Sequence, residues 1–417
     1  MAYTSRTDLD IVQRPSPVPV MGPAGSIVTD PDFKCRIVRA TDENTNPALP
    51  STGYAAGDGG SADVCTWNTD STMLMVGDNG GGHVVIGFNP STLAVQRLFP
   101  AFRAAGWTIF SKVNPNYLYV LGAGQVNRYD LTDRTASAPP APTLICDFNT
   151  QLPGKVTWES FGGVELNDTI FSAGLSVLGG QGTGIYVATY STSKGYRLWN
   201  TETGAVSGTF GPKGTITMPD RFFVHNVKSA KNSNMVIVAA QQYAPGSPDS
   251  TAPYFWDSRF LPVIPSGPVA HGGHWVGTEG LFFNAQSPPP DRKGISGRTY
   301  AKPAAVRFMT NPSPGGVIPP LDDHFSCNGP MPAAVIFAST TSVGAFATFP
   351  AAWYDEVLGF SITGKTYRFC HTMNSGLATE NFSAQNAIAC SDQQNKFVAF
   401  TSDWMSARHD VYIVELR

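Results

Sequence analysis

Charge is scarce in this chain. Of 417 residues, 28 are Lys or Arg and 31 are Asp or Glu, 14 % together, with a formal net charge of −3. Surface helices present Lys, Glu and Arg to water, so a chain this poor in them has little exposed helix. There is no basic tail, Lys/Arg stripe or acidic block. Phosphate backbones and anionic bilayers therefore find no electrostatic handle, and nucleic acid is not an expected partner. Long apolar runs are lacking too. "PAAVIFAST" and "MVIVAAQQY" are strand-sized, against the roughly 18 to 20 residues that cross a bilayer as a helix. Six cysteines without CxxC or CxxH spacing argue against a disulfide scaffold and against structural zinc. Nor is there a Gly-x-Ser-x-Gly elbow, a phosphate-binding loop, a His-Glu-x-x-His pair or an EF-hand loop, so those chemistries lose their support.

What is plentiful is turn-forming sequence: 42 glycines and 33 prolines. Many turns with little helix predict an all-β fold. The first residues, "MAYTSRTDLDIVQRPSPVPVMGPAGS", are Pro-rich and have no continuous apolar core. They read as an extended segment over residues 1–29, with 30–417 as one domain, and no signal peptide is visible. The Gly/Ser/Thr/Asn-rich, Lys-poor composition matches secreted bacterial proteins, so an extracellular or periplasmic location is expected.

A loose unit recurs: a short strand, a small polar turn, then an apolar strand. It begins at Cys65, Thr108, Glu159, Val224, Gly273, Asp323 and Asn386, seven times in all. The turns "NTDST", "NPNY", "LNDT", "KNSN" and "SDQQNK" use residues that tolerate tight dihedrals, and β-branched or aromatic residues follow them. Segments such as "YRLWNTETGAVSGTFG" supply further strands, and four strands per unit make a propeller blade. The expected fold is an all-β, seven-bladed β-propeller. The last unit runs out after three strands, so "FKCRIVRAT", Phe33 to Thr41, is expected to close the ring as its outer strand.

The stretch "SDQQNKFVAFTS", Ser391 to Ser402, resembles the blade signature of WD-like and Tol-type propellers. More loosely, the chain resembles secreted seven-bladed propellers that include the oligogalacturonate lyases. That resemblance implies a histidine-rich manganese site at the channel mouth, built from three histidines and a glutamine.

The histidines have a register of their own. Aligning the units on Ser229, Thr278, Asn328 and Ser391 puts His225, His274 and His324 four residues earlier in three consecutive units, out of seven histidines in the chain. Inner strands line a propeller's channel, so the three face a common space. They hold a divalent metal such as manganese, zinc or calcium, serve as clips between blades, or act without metal as acid/base or ligand-contacting groups. Gln385 sits near the register and completes the metal set that the resemblance implies. Asp322, Asp323 and Glu279 are near enough to orient an imidazole or to be plain turn residues, and Lys228 reads as solvated. For β-elimination on a uronic-acid polymer, a cation must neutralise the carboxylate and a base must take the α-proton, and Arg368 and His371 are the catalytic candidates. Trp67, Trp107, Trp158, Trp275 and Tyr354 are either sugar-stacking platforms or core. Two functions follow as expectations. One is a metal-assisted enzyme acting on acidic polysaccharide; the other is a non-catalytic propeller that binds a glycan or protein, its histidines structural.

Overall fold

In the computed structural model the described residues are 3–48, 53–56, 66–78, 80–178, 184–217, 221–230, 234–241, 253–265, 275–277, 281–286, 294–299, 302–308, 326–329, 335–339, 352–361, 363–375 and 387–417. Among them the strands form seven antiparallel sheets. The first holds Tyr54–Ala55, Met73–Asp78, Gly82–Phe88 and Val95–Leu98. The second runs from Trp107–Phe110 to Thr143–Asp147, and the third from Trp158–Val164 to Gly214–Thr215. The fourth starts at Phe223–Ser229, the fifth at Trp275–Gly277 and the sixth at Val335–Ser339. In the seventh, Cys390–Ser391, Phe397–Ser402 and Asp410–Glu415 are joined by Arg36–Arg39 and then Ile27–Thr29.

The hairpin of the first sheet shows how local chemistry sets the pattern. "MLMVGD" and "GHVVIGF" meet at a turn where Asp78 Oδ1 accepts from the N–H groups of Gly80 (2.9 Å) and Gly82 (3.1 Å), and Gly81 takes φ +75°. Only glycine adopts that dihedral without strain. Arg103 pairs with Asp78 at 2.7 Å and holds the turn down. Nearly every residue of the two strands is buried, on both faces. A sheet apolar on both faces has to lie between two others.

The apolar cores do sit between successive sheets. One joins the seventh sheet to the first, one the first to the second, and others the second to the third and the third to the fourth. A further core joins the sixth to the seventh. Trp158–Val164 packs against both Trp107–Phe110 and Phe223–Ser229, and Phe223–Ser229 lies also against Trp275–Gly277. This is an all-β architecture of the propeller kind.

The chain's two ends meet in the seventh sheet. Arg36–Arg39 pairs antiparallel with Asp410–Glu415, Ile37 opposite Val414. Arg36 forks onto Glu415 (2.8 and 2.9 Å), and Arg39 reaches Asp410 at 2.7 Å. Ile27–Thr29, inside the segment expected to be merely extended, adds a strand outside Arg36–Arg39.

Trp67, weighed as a sugar platform, is fully buried where the seventh sheet meets the first. Its Nε1 donates to the Cys390 carbonyl (3.1 Å), and its ring stacks on Phe397 and meets the edge of Phe88. Trp67→Ala is expected to lower unfolding stability by about 3–5 kcal/mol in urea denaturation. A loss under about 1 kcal/mol would mean that this seam does not hold the fold.

Candidate functional site

His225 stands on Phe223–Ser229, a strand with neighbours on both sides. Val224 is fully buried, and Asn226, Val227 and Lys228 are buried, yet His225 between them is exposed. The ladder explains this. Val224 pairs with Ala240 and Asn226 with Ala239, so His225 is the extra residue of a β-bulge. A bulge breaks the alternation of side chains and re-aims one of them. The same break buries Lys228, at 5 % exposure, against the expectation that it is solvated. His274, His324 and Gln385 lie outside the described residues, as do Glu279, Asp322 and Asp323.

Hydroxyl and amide groups join the neighbouring inner segments. Ser160 Oγ donates to Asn226 Oδ1 (3.4 Å), and the Ser172 and Ser229 hydroxyls lie 2.6 Å apart. Between the sixth and seventh sheets the Ser326 and Ser391 hydroxyls are 2.9 Å apart, and Asn328 Nδ2 donates to the Ser391 carbonyl (3.0 Å). The aligned residues Asn328 and Ser391 are thus in contact, and Cys327 and Cys390 beside them are fully buried.

The two catalytic candidates stand elsewhere, on Thr366–His371, the outer strand of the sixth sheet among the described residues. Both side chains are 0 % exposed, so neither offers surface to a polysaccharide. Arg368 forks onto Glu356 (2.8 and 2.6 Å), and its Nη1 reaches Asp8 Oδ1 (2.7 Å) and the Asp10 carbonyl (2.9 Å). The N-terminal segment therefore covers this strand. The Arg368 N–H donates to the Arg6 carbonyl, Tyr3 packs edge-on against Tyr367 and Phe369, and Arg14 donates to the Asn374 carbonyl (2.6 Å). Sequence reading missed this cover because the partners are about 360 positions apart.

His371 is held by Asp30. The His371 N–H donates to Asp30 Oδ2 (2.8 Å), Nδ1 lies 3.1 Å from the same oxygen, and Nε2 lies 3.5 Å from the Val12 carbonyl. Asp30 Oδ1 accepts from the N–H groups of Asp32 (2.9 Å) and Phe33 (3.0 Å). Burial works against the Asp30 charge, but the bonds and charge of His371 with the Phe33 N–H hold it below the usual carboxylate range. Asp30, Asp32 and His371 bring ligand-type atoms within 4.8 Å of one another. The four acceptor positions of Asp30 are already taken within the chain, which leaves it no lone pair for an ion. Nearby Asp355 accepts from the Thr372 hydroxyl and lies 3.4 Å from Arg14 Nη1. Complete burial pushes its carboxyl up to about 6.

Arg368→Ala strands the Glu356 carboxylate in the interior and should cost about 3–5 kcal/mol of stability, whereas Arg368→Met with Glu356→Leu should restore most of it. Chemical denaturation of the single and double variants checks this. A mild single variant would show that the pair is not buried as described.

No family model matches the chain, and no curated protein does. Among solved structures, an oligogalacturonate lyase from Vibrio parahaemolyticus aligns with a TM-score of 0.58 at 11 % identity, over 94 % of this chain and 96 % of that one. A gluconolactonase from Xanthomonas campestris aligns with a TM-score of 0.43 at 12 % identity, over 95 % and 99 % of the two chains. The β-propeller domain of the Trilobed protease from Pyrococcus furiosus gives 0.41 at 8 %, over 72 % and 78 %. At these identities the likeness is one of fold, and the fold is that of β-propeller proteins.

Proposed function

We propose that residues 30–417 form a single propeller of seven blades, closed by Arg36–Arg39 beside Asp410–Glu415, whose channel mouth carries a metal-assisted site for acidic polysaccharide. The seven sheets, the cores between successive sheets and the pairing of the chain ends support the ring. The enzymatic reading is carried by the exposed His225 on an otherwise buried inner strand. On this reading His225, His274, His324 and Gln385 hold a divalent ion, manganese, zinc or calcium, from neighbouring blades. Neutral imidazole and amide oxygen suit the first two best. When bound, such an ion neutralises a uronate carboxylate and so acidifies the adjacent carbon–hydrogen bond. The bulge sets the direction of the His225 side chain. The likeness to an oligogalacturonate lyase fits a substrate of this class, and the composition fits an extracellular or periplasmic setting.

One observation favours a second reading, a non-catalytic propeller that binds a glycan or protein. Arg368 and His371, the described candidates for the acid–base work, are buried in an ion network. A binding propeller needs neither.

Elemental analysis of the purified protein, combined with an ultraviolet assay for unsaturated product on a panel of uronate polymers, separates the two. The enzyme predicts bound divalent metal and product. His225→Ala should lose both while stability changes by less than about 1 kcal/mol, as expected of an exposed site. Metal-free protein that makes no product, yet still binds a polymer, would leave the binding reading in place.

A further inference from the structure

Residues 3–24 and the strands that follow are attached to the body in different ways. Ile27–Thr29 and Arg36–Arg39 are held by ladder hydrogen bonds and the ion pairs of Arg36 and Arg39. Residues 3–24 contribute no strand and are held at separate points. Thr4 and Ser5 donate N–H groups to the Arg417 carbonyl, and Arg6 to Asp10 sit on Arg368. Val12 faces His371, Arg14 faces Asp355 and Asn374, and Pro19 accepts from Trp404 Nε1 (2.8 Å).

His371 is the anchor whose chemistry changes near neutrality. Its two ring nitrogens each face an acceptor, the Asp30 carboxylate and the Val12 carbonyl. A neutral imidazole has one N–H and can serve only one of them, while an imidazolium serves both. We propose that residues 3–14 are a pH-responsive latch, seated across Thr366–His371 while His371 is protonated and loosened when it loses that proton.

Charged and titratable groups surround the ring from each packed element. Asp30, Asp32, Lys34 and Cys35 come from the turn below it, and Asp355 and Glu356 from the adjoining strand and its approach. Arg368 and Cys370 share its own strand; Arg6, Asp8, Asp10 and Arg14 come from the latch. Burial alone would lower the histidine pKa. The hydrogen bond to Asp30 and the charges of Asp30, Glu356 and Asp355 outweigh it and raise the pKa above its ordinary 6.5. A histidine whose folded pKa exceeds its unfolded value contributes stability that is complete below the unfolded value. That contribution is lost as pH rises through the folded one. Latch release therefore lies on the alkaline side of 6.5, while the Asp355 step, near 6, lies on the acid side of it.

Hydrogen exchange read by mass spectrometry tests this on the full chain. Peptides covering residues 3–14 and 366–372, corrected for the intrinsic rate, should lose protection by roughly tenfold or more as His371 deprotonates. Phe397–Ser402, in the core, should stay protected throughout. In His371→Gln the step should vanish, and in Asp30→Asn its midpoint should move to lower pH, since the carboxylate that holds the proton is gone. Flat protection in the wild type, or a step that survives in His371→Gln, overturns the proposal. If His371→Gln does not fold, Asp30→Asn decides, and an unmoved midpoint overturns it equally.

Discussion

A small antiparallel sheet with two apolar faces cannot stand in water by itself, and the rest of this structure depends on that constraint. Strands such as Met73–Asp78 and Gly82–Phe88 are buried on both sides, so each sheet needs a neighbour on either hand. Aromatic side chains fill much of the space between them. Trp67, Phe88 and Phe397 meet in one seam, and Trp199, Phe222, Tyr254 and Trp256 in another. Such rings bury large areas and lock by edge and face, which fixes the spacing of the sheets.

Buried charge is placed differently. Where the sixth and seventh sheets meet the N-terminal segment, Arg368 with Glu356, His371 with Asp30, and Arg39 with Asp410 form paired sites. Pairs of this kind contribute little net stability compared with apolar packing, yet they tolerate no wrong partner. The N-terminal segment meets one of them directly, through the Asp8 carboxylate and the Asp10 carbonyl on Arg368.

The hairpins were legible in the sequence because their turns are stabilised by their own side chains. Asn68 Oδ1 accepts from the Thr72 and Met73 N–H groups, Glu165 caps Thr169, and Asp392 Oδ1 accepts from Lys396 and Phe397. These contacts span four or five residues, so local pattern reveals them. In the sequence Arg368 and His371 read as reactive groups because both residue types serve in acid–base sites. The residues that cover them, Asp8 and Asp10 on Arg368 and Asp30 on His371, lie more than 340 positions away, and no local signal marks a guanidinium destined for burial. Lys228 reads as solvated but is buried, for another reason. A single bulged residue at His225 inverts the alternation that an unbroken strand would have kept. The likeness to WD-like and lyase propellers was legible as architecture, since blade repeats are written in turns and strands rather than in site residues.

The pairing of Arg36–Arg39 with Asp410–Glu415 also sets an order of events during synthesis. The first of these strands leaves the ribosome nearly the whole chain before its partner exists, and the loop between them is among the costliest in the molecule to close. Until then "RIVR" has Ile27–Thr29 along one edge and leaves the other open, with two residues, Ile37 and Val38, that end fully buried. An arginine stands at each end of it, and such flanking charge discourages neighbouring nascent chains from stacking on an open edge. The two arginines that pair with Glu415 and Asp410 in the finished protein thus have an earlier task, as guards against aggregation while the strand waits.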